Sequence, residues 1–434
     1  MLISTLLSLV VFQNPALEAT QGWLKEHQGE LLARYQDLHA NPELSFQEEK
    51  TGKKMAAVLE NLGFQVQSGI GGYGVAGILR NGDGPVVLVR TDTDALPITE
   101  ETGLPFASKV RATEQDGQDV GVMHACGHDM HMTVWTGVAA FLATHKNLWS
   151  GTLLCIAQPA EERGAGAIKM LNDDLYARTA TPNYCLAFHV TPELPSGTVG
   201  IRPGFALANV DSVDIKVLGK GGHGSTPEKT HDPVVLASRI VVALQTLVSR
   251  EIPTQKSAVV TVGSIHGGAK HNIIPDEVFL QITVRSYEKE VREALLSGIK
   301  RTAKYEALAA GFPDDLLPEV RLLDEHTPAA WNSPELVKRN AKIIRSVLGE
   351  GQVIEVPAVM GGEDFGRYGP AADCPSNIMW LGATELGQWE QSQNPNGRPL
   401  PGIHTSRFAP DALKTIRTGV IAMSATILDL FSAQ

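Results

Sequence analysis

Residues 123–131 read Met123-His124-Ala125-Cys126-Gly127-His128-Asp129-Met130-His131, the densest run of metal-capable side chains in the chain. A thiolate and an imidazole two residues apart, with a glycine between them that permits a tight bend, can converge on one cation. A buried structural cysteine beside a capping histidine is the competing reading. Gln158-Pro159-Ala160-Glu161-Glu162 follows a buried apolar run directly. Next to a cation, adjacent carboxylates divide the work, one as ligand and one as general base; elsewhere they are a solvated turn. An extended backbone at this point sends the two side chains apart. Arg90-Thr91-Asp92-Thr93-Asp94 leaves another strand with two carboxylates on one side of the chain. Either could ligate metal, orient a ligand histidine through its second ring nitrogen, or cap a helix. His189 closes a further apolar strand, as a ligand or as a satisfied core histidine, and His404 sits in a polar loop. Gly221-Gly222-His223-Gly224-Ser225 and Gly361-Gly362-Glu363-Asp364-Phe365 are glycine-rich loops that admit a ligand close to the backbone, or plain turns.

The elements that must position these groups alternate between helix and apolar strand, as in a parallel sheet. Helices are expected from Gln21 to Asn41 and from Gln47 to Leu62. Strands are expected at Gln65 to Ser68, Val75 to Leu79, Val86 to Val89, Thr152 to Ala157 and Tyr184 to Val190. A helix runs on from His128 through Leu142, and a final one from Pro410 to Leu430. Ligands in such folds collect beyond the carboxyl ends of the strands. The stretch 209–319 changes character to β-α-β-β-α and reads as a small inserted α+β, ferredoxin-like domain. Segments 20–208 and 320–434 then form one mixed, mostly parallel α/β domain. Gly69-x-Gly71-x-x-Gly74 precedes a strand, not a helix, so it offers no seat for a dinucleotide pyrophosphate.

The chain has 434 residues, 43% hydrophobic and 20% charged, with a net charge of −11 and dispersed Lys and Arg. That excludes a disordered chain and argues against nucleic acid or an anionic membrane as partner. Four scattered cysteines, Cys126, Cys155, Cys185 and Cys374, make no disulfide framework, and the last three read as ordinary core or surface thiols. The H-x-E…P-C-x-x-C pattern of zinc deaminases is missing. Residues 1–19 carry an apolar run, Leu2 to Phe12, and small residues from Ala16 to Ala19. They read as a signal peptide, hence export, although no Lys or Arg precedes the run; a cytoplasmic chain with an N-terminal extension is the alternative.

Taken together these motifs resemble the metal-dependent amidohydrolases of the aminoacylase/carboxypeptidase superfamily, in the branch of hippurate hydrolase, N-acyl-amino-acid amidohydrolases and indole-acetyl-amino-acid hydrolases. The residues that carry the resemblance run in family order. They are His39-x-x-Pro42-Glu43-Leu44-Ser45-Phe46, the Arg90 to Pro97 segment, the Met123 to Asp129 segment, Gln158 to Glu162, Gly221 to Ser225, Met360 to Phe365, and His404. The resemblance implies two divalent cations, Zn²⁺ or Mn²⁺, held by Cys126, His128, Glu162, His189 and His404. Cys126 would take the bridging position that most of the superfamily gives to Asp. It further implies Glu161 as general base and Asp92 as the residue that orients a ligand. His223 would reach a substrate in a partner subunit, with Asn272, Arg285 and Gly361 as further substrate contacts, and the inserted domain would mediate a homodimer.

The implied reaction is hydrolysis of the amide of an N-acyl amino acid, a small-molecule substrate. Two dications outweigh the charges of Cys126 and Glu162, which suits an anionic substrate. A dipeptidase or carboxypeptidase on the same site, a thiol hydrolase using Cys126, and a silent binding protein remain open at this level.

Overall fold

In a computed structural model of the chain, residues 15–324 and 326–432 are described, so the apolar run Leu2 to Phe12 lies outside the described residues. The helix expected from Gln21 begins at Pro15 and runs to Ala40; it includes Ala16 to Ala19, with Leu17 and Ala19 against the core.

The apolar strands assemble into one eight-stranded sheet. Its order is Gln65–Ile70, Gly74–Asn81, Gly151–Gln158, Val86–Asp92, Tyr184–Pro195, Ser376–Thr384, Val199–Ile201, Val353–Glu355. The centre is parallel, from Gly151–Gln158 through Ser376–Thr384. The Gln65–Ile70 and Gly74–Asn81 strands add antiparallel pairs at one edge, and Val199–Ile201 runs antiparallel to Ser376–Thr384 near the other. Central strands read as continuous apolar runs because helices cover both faces. Helices Pro15–Ala40, His128–Thr144, Pro334–Leu348 and Ala412–Ser432 pack on one face, and Gly166–Asn172 with Tyr368–Ala372 on the other. His128–Thr144 is buried nearly all round, as a helix without a polar face must be. The Gly69 to Gly74 stretch is the hairpin between the first two strands, and the Gly71 N–H is bonded to Asp173 (2.9 Å).

From Asn209 the chain enters a second, wholly antiparallel sheet in the order Ala258–Gly267, Glu277–Ser286, Asn209–Leu218, Glu319–Leu322. Helices Pro233–Thr246 and Lys289–Ala309 cover it through Leu236, Ile240, Leu244, Leu295 and Ile299. Asp232 caps the first of them, accepting from the N–H groups of Val234 and Val235. The motif closes as β-α-β-β-α-β, one strand more than expected and three residues beyond 319, since Glu319–Leu322 has no buried residue and so little apolar signal. Pro233–Glu251 is long and apolar enough to pass for a membrane span, yet its inner face packs in this core.

Candidate active site

The carboxyl ends of three parallel strands, Val86–Asp92, Gly151–Gln158 and Tyr184–Pro195, meet the N-terminus of helix His128–Thr144. Gly127 makes the turn into that helix at φ 79°, and a Cβ there would lie 2.4 Å from Val190 Cγ2. Only glycine lets Cys126 and His128 face the same space. Cys126 Sγ lies 3.4 Å from His189 Nε2 and 3.3 Å from His404 Nε2. His404 Nε2 is 3.5 Å from Glu162 Oε1. His128 Nε2 is 3.8 Å from Glu162 Oε1 and 3.9 Å from Glu161 Oε2. Thus Cys126, His128, Glu161, Glu162, His189 and His404, spread over 279 positions of sequence, converge on one point.

The donor set fits divalent cations. His128 Nδ1 donates to the Asp94 carbonyl (2.8 Å), which leaves the Nε2 lone pair aimed into the cluster. His128 Nε2 and Glu162 Oε1 are buried without a protein partner. Such orphans cost about 1–3 kcal/mol each, so two together point to an occupant. Cys126 groups with His128 and His189 on one side and with Glu162 and His404 on the other, each trio within 4.8 Å, which makes Cys126 the shared member of two candidate sites. Burial alone would lower the His128 pKa, but Asp92, Asp94 and Glu162 carry it up to about 10, so the surroundings demand positive charge. Asp92, His128 and His131 also cluster, but both nitrogens of His131 are spoken for. His131 Nδ1 donates to Asp92 (2.7 Å) and Nε2 accepts from the Val190 N–H (2.8 Å), which makes it a strut between two strands.

The carboxylate pair is held differently from expectation. Glu161 to Arg163 form a 3₁₀ turn, not an extended segment, and both carboxylates come within reach of His128 Nε2. Ala160 enters that turn at φ 52°, pinned by its N–H to Glu48 (2.8 Å). Asp94 accepts from the N–H groups of Glu161 (3.1 Å) and Glu162 (3.0 Å). Burial, then the Glu363 and Glu162 carboxylates, push Glu161 well above the usual carboxylate range. Asp92 does not hydrogen-bond a candidate ligand; it holds His131 and accepts from Arg90 Nη1 (2.7 Å), while the Asp94 carbonyl orients His128. Arg90, wholly buried, also pairs with Glu363 (2.9 Å) and Asp364 (3.2 Å), so the glycine-rich turn after Met360 is tied to the floor of the site.

A cleft of about 600 Å³ opens above the cluster, lined on the far side by Arg285 and Gly361. Arg285 comes from the second sheet and donates to the Met360 carbonyl (2.6 Å), which fixes it at the rim. Asn272 and His223 do not line this cleft. They lie together in another hollow, on the ribbon that pairs Gly222–His223 with Ile273–Ile274. His223 Nδ1 accepts from the Ser225 N–H (3.1 Å), which leaves the ring proton on Nε2.

Sequence reasoning missed the struts: Glu48, and the roles of Arg90 and His39. His39 is buried, with Nδ1 2.7 Å from Asp129 and Nε2 3.0 Å from Glu100. Burial alone would lower its pKa, but the two hydrogen bonds raise it from 6.5 to about 10. A raised histidine gives stability that is complete below pH 6.5 and lost as pH climbs through about 10. His39→Leu is therefore expected to cost about 3–5 kcal/mol at neutral pH by stranding two carboxylates, and less above about pH 10. Denaturant melts of both proteins at the two pH values measure this, and an equal cost at both would remove the charged pair.

Residues 88–398 match the peptidase family M20/M25/M40. The chain is 36% identical over 365 residues to N-acetylcysteine deacetylase of Bacillus subtilis, covering 83% of this chain and 90% of the relative. It is 35% identical over 410 residues to thermostable carboxypeptidase 2 of Saccharolobus solfataricus, covering 94% and 96%. A crystal structure from Bacillus subtilis, described as a dinuclear metal-binding peptidase of the M20 family, superposes with a TM-score of 0.72 at 31% identity, covering 93% of this chain and 98% of that one.

Proposed function

This chain belongs to the peptidase family M20/M25/M40, and from that membership we propose that it is a metal-dependent hydrolase of linear amides whose substrates are N-acyl amino acids. The observation that carries this reading is Glu161, buried and set beside the cation-fitting cluster, on the floor of a cleft whose far wall carries Arg285. A binding protein has no use for a base in that position. Cys126 is a poor nucleophile here, because burial and the Glu162 and Glu161 carboxylates hold its thiol well above the usual range.

Cys126, His128, Glu162, His189 and His404 would hold the two cations. When bound, Zn²⁺ or Mn²⁺ acidifies water and polarises a carbonyl. Arg285 receives the substrate carboxylate and so sets the scissile amide over the cluster. Glu161 accepts the proton of the attacking water and passes it to the departing amine nitrogen. Glu48 and Asp94 keep the Glu161 turn in place throughout.

The second sheet supports a homodimer. Ala258–Gly267 is one of its two edge strands, and the neighbouring helix exposes Val235 (58%) and Val242 (70%) on its outer side. His223 would then enter the cleft of a second copy with Nε2–H directed at the oxyanion, and Asn272 beside it. His223→Ala is expected to lower kcat by about 10²–10³ while metal content stays unchanged. An unaltered kcat would remove the oxyanion role.

The substrate class is tested by rates of amino-acid release from N-acetyl, N-benzoyl and N-arylacetyl amino acids against dipeptides. Faster release from the acyl amides is expected. Faster release from dipeptides would make the chain a peptidase on the same site.

A further inference from the structure

Cys126 belongs to the metal cluster and Cys155 is sealed within the central sheet, but the other two cysteines lie together. Cys185 stands at the start of strand Tyr184–Pro195, four residues before His189. Cys374 lies in the turn that joins helix Tyr368–Ala372 to strand Ser376–Thr384. The two strands are parallel neighbours with Cys185 opposite Ser376, and the Cys185 N–H donates to the Pro375 carbonyl (3.0 Å). Across this fixed backbone the two sulfurs are 3.6 Å apart.

A disulfide needs about 2.0 Å between sulfurs, so the two Sγ atoms have about 1.6 Å left to close. Access is graded in the right order: Cys374 is half-buried and within reach of a small reagent, and Cys185 is buried directly behind it. Neither thiol touches the metal cluster. The hydrogen bond from Cys185 holds the Cys374 thiol below its ordinary range, whereas burial pushes Cys185 up, so Cys374 is the thiol that reacts first.

We propose that Cys185 and Cys374 are a disulfide-forming pair that pins the turn after helix Tyr368–Ala372 to the strand carrying His189. The co-reactant is a disulfide, either a small one such as oxidised glutathione or the active-site disulfide of an oxidoreductase. The Cys374 thiolate attacks one sulfur of that disulfide and expels the other as a thiolate. Cys185, deprotonated in turn, attacks Cys374 Sγ in the mixed disulfide and expels the second thiolate. Two protein thiols are oxidised, one external disulfide is reduced to two thiols, and the two protons pass to those products. The bond spans 189 positions, including the whole second sheet, and so closes a long loop that lowers the entropy of the unfolded chain.

The test uses the full-length, metal-loaded protein equilibrated with excess oxidised glutathione, alkylated in denaturant, and digested without reduction. The expected product is a peptide pair joined through Cys185 and Cys374, with Cys126 and Cys155 alkylated. Its formation should raise Tm by at least about 2 °C in the wild type and not in Cys374→Ser, whose change in a partly exposed turn leaves the fold intact. Recovery of Cys185 and Cys374 as alkylated thiols, or of glutathione held on Cys374 without the internal link, overturns the proposal. So does an equal rise of Tm in Cys374→Ser.

Discussion

Glu161→Gln is expected to bind the same complement of metal as the wild type and to lose about 10²–10⁴ in kcat, the usual contribution of a positioned general base. The amide is nearly isosteric with the carboxylate, and the backbone bonds that seat the turn, Glu161 N–H to Asp94 and Ala160 N–H to Glu48, do not involve the side chain. What vanishes is the ability to take a proton from water. Stability should not fall with it, because Glu161 shares its pocket with Glu363 and Asp364, and one charge fewer relieves a crowded carboxylate trio. Metal analysis, kcat and Tm together distinguish this outcome from simple disruption. Near-normal turnover would show that the base has been misassigned.

Cys126→Ala should do the opposite: it should strip the metal and take the activity with it. Cys126 is the one donor common to both candidate trios, so its loss weakens both sites at once, whereas loss of His189 or His404 weakens one. Removing a group that merely orients a ligand costs 10–100-fold in metal affinity, and losing the shared ligand should exceed about 100-fold. Cys126→Asp should restore binding, since a carboxylate offers two oxygens where the thiolate offers one sulfur. Equilibrium dialysis of the three proteins against Zn²⁺ and Mn²⁺ decides it; full occupancy in Cys126→Ala would contradict the shared role.

Four of the residues that converge at the site, Cys126, His128, Glu161 and Glu162, were legible in short local motifs, whereas His189 and His404 were named through the family resemblance. Cys126 and His128 flank a glycine, Glu161 and Glu162 end an apolar run, and both kinds of pattern reflect local backbone geometry. The central strands were legible for the same reason, as unbroken apolar runs. What escaped depends on contacts between distant segments. Glu48 looks like one charge among several at a helix start, yet it reaches Ala160, 112 positions away. His39 looks like the end of an amphipathic helix, yet it neutralises two buried carboxylates. Cys185 and Cys374 carry no spacing rule, since only the pairing of two strands brings them together. The bond from His128 Nδ1 to the Asp94 carbonyl was not foreseen, because sequence shows side chains and not the free lone pairs of the backbone. Glu319–Leu322 was missed at the boundary because an exposed edge strand has no apolar signature.

The most direct measurement is a metal titration of activity. The full-length protein is stripped of metal with chelator, Zn²⁺ or Mn²⁺ is added back stepwise, and release of free amino acid from an N-acyl amino acid is followed at each step. The expected result is no release from the stripped protein and recovery that is complete at about two ions per chain. Amino-acid release that persists in the metal-free protein, or that never appears with either ion, would contradict a metal-dependent amidohydrolase built on Cys126, His128, Glu161, Glu162, His189 and His404.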